Sequence, residues 1–184
     1  LTLSWLKLGS ATSKEIKAMA DSLSPKEILD VRFTDPNDSA YTKLALDGWG
    51  YQWVKVLPAQ AKAAAFLETH RFAAIAGVTM ELTKLEGVDV NAKDKIAYFA
   101  VSRIETTMLA GPDQPATTRP EVDDIQLAAL RPGAVYATHL SGGQSDSKGQ
   151  AISSAWVPTD FYVPKGLLGE NMATDADGNN ANIL

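Results

Sequence analysis

The sequence predicts a mainly β fold with inserted helices, and three observations carry that reading. From Gly77 onward the apolar residues alternate with a period of two. The stretch Asn91-Ala-Lys-Asp94 is a short hydrophilic connection of the kind that joins antiparallel strands. Helical spacing is read in residues 12–23 and 58–76. A sandwich and part of a propeller both satisfy this pattern, and no internal repeat selects between them.

Taken in order, Ile16, Met19, Ala20 and Leu23 recur at helical spacing, with Thr12 or Ser13 available as N-cap, so a short amphipathic helix is expected over 12–23. The turn-rich stretch 34–39 follows. Trp49, Tyr51 and Trp53 then alternate after a glycine turn, as in a strand. Pro58 opens the alanine-rich segment 58–76. There Phe66, Leu67, His70 and Ala74 stand three or four residues apart, and Gly77 near the end completes the pattern of one helix. His70, on a partly apolar face, is read as a packed residue.

Residues 85–90 and 95–101 flank the hydrophilic connection as a hairpin. Residues 111–120 are rich in Pro and Thr and read as a loop. A strand over 133–139 runs into a flexible glycine-rich stretch, 141–149, and the last strand is expected within 152–162. The tail 175–184 is a polar turn followed by the first apolar residues of a further element. Residues 1–184 are therefore expected to be a single segment, an incomplete portion of a larger domain decorated by helices at 12–23 and 58–76.

The chain has 184 residues, 17 Lys and Arg against 22 Asp and Glu, and a formal net charge of −5, which argues against a general nucleic-acid binder. The longest unbroken apolar run, 72–78, is far shorter than the ~18 residues of a membrane-spanning helix, so no membrane partner is expected. With no cysteine, thiolate metal sites and cysteine nucleophiles are excluded from these residues. The two histidines, His70 and His139, cannot by themselves build a three-histidine site. A metal here would sit on carboxylate and carbonyl oxygens.

The densest chemical candidate is the run 81–89, where Glu81, Glu86, Asp89 and Lys84 gather at the junction of a helix, a loop and a strand. Calcium takes six to eight oxygen ligands, and Gly87 directly after Glu86 lets a ligand approach the backbone closely. The alternative is a charged hairpin entrance with no ligand. In a strand beginning at Leu85, Glu86 shares a face with Val88 and Val90 and is expected to point inward with them. Arg71 faces Glu68 at i,i+3. It is either half of a solvated ion pair or a phosphate or carboxylate ligand, which its fork geometry suits. Residues 175–179 have a calcium-loop flavour but lack the closing glutamate and read as a turn.

Several of these segments, in order, resemble bacterial PhoX-type alkaline phosphatases. They are residues 47–53, 66–79, 83–94 and 97–108, with the Glu68-Thr-His-Arg71 helix, the turn containing Gly77 and Thr79, and the Lys84-Leu-Glu86-Gly hairpin start. The similarity covers roughly residues 45–175. It implies part of a decorated β-propeller and a metal-dependent phosphoester hydrolase that is exported to the periplasm or secreted and uses calcium and iron on a phosphate ester substrate. Under this resemblance Glu86 matches a metal ligand, Lys84 stands where the family has an arginine beside the phosphate, and Arg71 matches a helix position.

Lysine keeps the charge but not the bidentate fork, and the family's iron-binding cysteine has no counterpart in these residues. The missing ligands are expected on the remainder of the same polypeptide, and no catalytic residue is assigned within this chain. Those departures also suit a non-catalytic, propeller-like binding or scaffold module, which is the competing expectation.

Overall fold

The computed structural model describes residues 2–46, 50–109 and 124–171. Trp49, the loop at 111–120 and the tail, with its calcium-like turn, lie outside the described residues. The described residues are mainly β, in two antiparallel sheets with a few short helices. They fall into two compact units, one containing residues 7–81 with Asp124 and the other residues 2–6, 82–109 and 125–171.

The first unit opens with α1 (Ser13–Ser22), which starts where the sequence supplies a cap. The Thr12 hydroxyl accepts from the Glu15 amide at 3.3 Å, and the Glu15 carboxylate accepts from the Thr12 amide at 2.7 Å, satisfying two donors that a helix start leaves orphaned. The Lys62 ammonium lies 3.0 Å from the same carboxylate. The Thr12 amide first and Lys62 second hold the Glu15 carboxyl down to about 2, from 4.5.

Because the folded value is depressed, this contribution to the helix is present above pH 4.5 and is lost as pH falls towards 2. The side-chain carboxyl chemical shift of Glu15 should therefore titrate near pH 2, and a midpoint at 4.5 would show that the box does not form.

Strands β1 (Leu29–Arg32), β2 (Thr42–Leu46) and β3 (Gly50–Val56) form a sheet in the order β1-β3-β2. Period-two alternation along β3 sends Gln52 and Val54 inward, while Tyr51 and Trp53 lie on the other face under the Lys43 ammonium at 4.1 and 5.5 Å. The core joins Ile28, Leu29, Leu44 and Val54 to Ala63, Ala64 and Ala74, whose small side chains admit close packing of helix on sheet.

The single helix expected over 58–76 is two helices, α2 (Ala61–Leu67) and α3 (Thr69–Ala76), broken at Glu68 with φ −129° and ψ 38°. The Thr69 hydroxyl donates to the Ala65 carbonyl at 2.7 Å, a side-chain-to-backbone bond of the kind that bends helices. His70, expected to be packed, is exposed. Gly77 ends α3 in the left-handed region, and the Val78 amide reaches back to the Ala73 carbonyl, as the sequence signal implied.

The second unit is built on β4 (Leu85–Asn91), β5 (Ile96–Val101), β6 (Ala134–Ser141) and β7 (Val157–Pro158), hydrogen-bonded in chain order as a four-stranded meander. The hairpin between β4 and β5 closes as expected, with Asn91 Oδ1 accepting from the amides of Lys93 and Asp94. Val101, Ile104, Met108, Ile125, Ala134 and Tyr136 form the core, and the Tyr136 ring stacks on Phe161 at 4.6 Å.

The strand expected within 152–162 shrinks to the two residues of β7. Pro158 offers no amide to a ladder, and the His139 amide is taken by the Asp160 carboxylate at 2.7 Å. Residues 141–149, expected to be flexible, contain a closed turn. Asp146 Oδ1 accepts from the amides of Lys148 and Gln150, and the Ser147 amide donates to the Trp5 carbonyl at 2.7 Å. Both sheets are open among the described residues, and no described helix is long and apolar enough to cross a membrane.

Candidate functional site

Lys84 and Glu86 stand where the chain enters β4, and the backbone there is irregular. Lys84 has φ +57°, a left-handed conformation that costs a side-chain-bearing residue of order 1 kcal/mol, and its carbonyl accepts from the Ser102 amide at 3.0 Å. Leu85 pairs with Val101 and Gly87 with Ala100, so the register shifts across Glu86. Glu86 is the extra residue of a bulge, a device that re-aims one side chain out of the regular alternation.

The inward orientation expected for Glu86 is not seen. Every residue of β4, the edge strand of its sheet, is exposed, Val88 at 65% and Val90 at 45%, so the face Glu86 was expected to share with them is not a buried one. Glu86 instead meets Ser102, whose hydroxyl donates to Glu86 Oε1 at 3.2 Å. A Cβ added at Gly87 would find nothing within 4 Å, so the backbone beside Glu86 is open to an incoming group. Just beyond Ser102 follow the Arg103–Glu105 pair at 3.9 Å and Thr106, itself at φ +51°.

The other carboxylates of the run do not join Glu86. Glu81 is buried within the first unit, at 2% exposure, and Asp89 turns onto the Val90 amide at 2.7 Å. Among the described residues no three His, Asp or Glu side chains are grouped to hold a metal ion. Glu86 offers hard oxygen donors of the type calcium prefers, so the chemistry of that one residue fits a calcium ligand.

Arg71, on α3, belongs to the first unit. The ion pair read from the sequence is present, Nη1 lying 2.9 Å from Glu68 Oε2, and both side chains are largely covered. Sequence reasoning missed its second partner: Arg71 Nε donates to Oε1 of Gln52 at 3.1 Å. Gln52 is completely buried on β3, and its amide nitrogen has no hydrogen-bond partner among the described residues.

Also missed was the pair formed by His139 on β6 and Asp160, with Nδ1 2.7 Å from Oδ2 and the imidazole stacked on Tyr162. Desolvation pushes the Asp160 carboxyl up, but hydrogen bonds from the amide and ring of His139 outweigh it and hold the group below its ordinary value. No local spacing could have paired residues 21 apart.

Comparison with protein-family models, curated proteins and solved structures finds no match to this chain.

Proposed function

We propose that this chain is part of a metal-dependent phosphoester hydrolase of the PhoX alkaline phosphatase type, with Lys84 and Glu86 contributing to its site. The observation that carries the reading is the left-handed Lys84 followed by the bulged Glu86, both exposed at the head of β4. Backbone strain and bulges concentrate where side chains must be aimed at a ligand. The ordered resemblance of residues 45–175 supplies the chemistry. The meander β4-β5-β6-β7 has the strand number and order of one propeller blade, which supports a propeller completed by the remainder of the polypeptide.

In this reading Glu86 donates carboxylate oxygen to a calcium-containing cluster, and Lys84 places its ammonium against a non-bridging phosphoryl oxygen. Bound calcium and iron would cancel charge on the phosphoryl group and orient the attacking oxygen. Ser102 holds Glu86 by one carboxylate oxygen, leaving the other for a ligand. The substrate is a phosphate ester and the compartment is periplasmic or extracellular.

The test is release of p-nitrophenol from p-nitrophenyl phosphate by the complete polypeptide, before and after removal of calcium with EGTA. Activity that is lost on chelation and restored by calcium is the expected result. Lys84→Gly should relieve the backbone strain yet raise KM about ten- to a hundredfold, as loss of a charged hydrogen bond does. A complete protein that neither binds calcium nor releases phosphate would overturn the proposal in favour of the binding-module reading.

A further inference from the structure

The sheet of the first unit has an open edge. In the order β1-β3-β2, β1 has no strand on its other side among the described residues, and its register with β3 is regular over Leu29–Arg32. The Leu57 amide donates to the Ile28 carbonyl at 3.0 Å, which fixes the phase of that ladder. Bonded and non-bonded pairs alternate between antiparallel strands, so Asp30 and Arg32 bond to β3 while Leu29 and Val31 turn their amides and carbonyls outward. No backbone group among the described residues takes up those outward donors and acceptors.

A groove of about 540 Å³ lies along this edge. Leu29, Asp30 and Val31 all line it. Successive side chains of a strand point to opposite faces, so a groove touching three in a row follows the edge of the strand rather than either face. Leu29 keeps 3% of its surface, so water reaches its unpaired backbone groups poorly, and a buried polar group without a partner costs about 1–3 kcal/mol. The outward groups recur every second residue, about 6.8 Å apart, which is the repeat of an extended chain.

The charged side chains on the groove, Lys26, Arg71, Asp30 and Glu68, sum to zero. Arg71 is held by Glu68 at 2.9 Å and Asp30 by Arg32 at 2.8 Å, so the lining matches an occupant without net charge. Phe33, just past the end of β1, lines the same groove with 68% of its surface exposed and offers an apolar contact to a side chain of an added strand.

We propose that this groove is a strand-addition site, where an uncharged, extended peptide segment of a partner protein pairs with the outward backbone groups of Leu29 and Val31 and rests an apolar side chain on Phe33. Meeting donors and acceptors on both residues takes an occupant with the same repeat, which an extended peptide has and a compact organic molecule lacks.

The experiment is isothermal titration of the complete polypeptide with a terminally blocked hexapeptide of alternating threonine and valine. Saturable binding is expected. The same peptide N-methylated at every residue keeps its side chains but donates no hydrogen bond, and should bind at least tenfold more weakly. Val31→Pro removes an outward amide that β3 does not use, so it should spare the sheet and lower affinity at least tenfold. Phe33→Ala, at an exposed position, should lower it severalfold. In hydrogen exchange of the parent, the Leu29 and Val31 amides should slow at least tenfold on adding peptide, while those of Asp30 and Arg32 are protected with or without it.

Absence of saturable binding overturns the proposal, as does equal binding of the N-methylated peptide, unchanged affinity in Val31→Pro, or no added protection at Leu29 and Val31. Self-association that Val31→Pro abolishes, without peptide binding, assigns the edge to a second copy and overturns it too. The hexapeptide carries neither phosphate nor charge, and Lys84 and Glu86 lie outside the groove, so this result and that of the phosphatase assay are read separately.

Discussion

Gly133→Ala should destabilise the β4–β7 unit by at least about 3 kcal/mol, combining a left-handed backbone with severe overpacking. Gly133 has φ +71°, and a Cβ added there would lie 1.9 Å from the Val101 carbonyl oxygen, 2.7 Å from the Ser102 carbonyl carbon and 2.9 Å from the Arg103 amide nitrogen. All three are backbone atoms, so no rotamer change relieves the clash. The strand ends must move apart instead. The site is also tied on both sides, since the Gly133 amide donates to Leu130, its carbonyl accepts from Gly169, and the next residue, Ala134, pairs with Val101.

The matched control is Gly143→Ala, at φ +79° with nothing within 4 Å of the added Cβ, which should cost only the conformational part, about 1 kcal/mol. Urea midpoints for the two variants measure the difference. Equal values would mean that the close approach of β6 to the end of β5 is absent. Because Ser102 carries the hydrogen bond to Glu86, Gly133→Ala should also disturb the geometry at the head of β4.

What was legible in the sequence was set by neighbours in the chain. The N-cap, offered as Thr12 or Ser13 and formed by Thr12, the Gly77 stop and the Asn91–Asp94 turn are local matters between a residue and the backbone beside it, and spacing reports them directly, although the return bond from Glu15 was not read. The break at Glu68 was hidden because alanine-rich helical spacing continues through it. The deciding hydroxyl bond from Thr69 competes with, and does not appear in, the periodicity.

Glu86 was oriented wrongly for a physical reason: alternation assumes unbroken register and a strand face packed on a core, whereas a bulge shifts the register at Glu86 and Val88 and Val90 are themselves exposed. Gln52 and Asp160 were invisible, since each acquires its role only when the fold brings Arg71 or His139 to it from 19 or 21 residues away.

Glu86→Gln is expected to remove bound metal from the complete polypeptide and lower phosphatase activity by at least a hundredfold, about the upper cost of losing even an outer-shell partner of a metal ligand. The substitution is nearly isosteric. Its side-chain carbonyl can still accept the Ser102 hydroxyl, and the side chain is exposed, so folding stability should stay within about 0.5 kcal/mol of the parent.

That separation gives the measurement its force. A charged hairpin entrance with no ligand predicts no change in metal content, activity or stability. A residue with a purely structural role predicts that stability falls along with everything else. Metal and activity lost together at unchanged stability is the outcome specific to a ligand, and elemental analysis, p-nitrophenyl phosphate turnover and urea denaturation of one variant read all three quantities. Retention of both metal and activity would exclude Glu86 from the site and leave the charged hairpin entrance with no ligand as the reading of the head of β4.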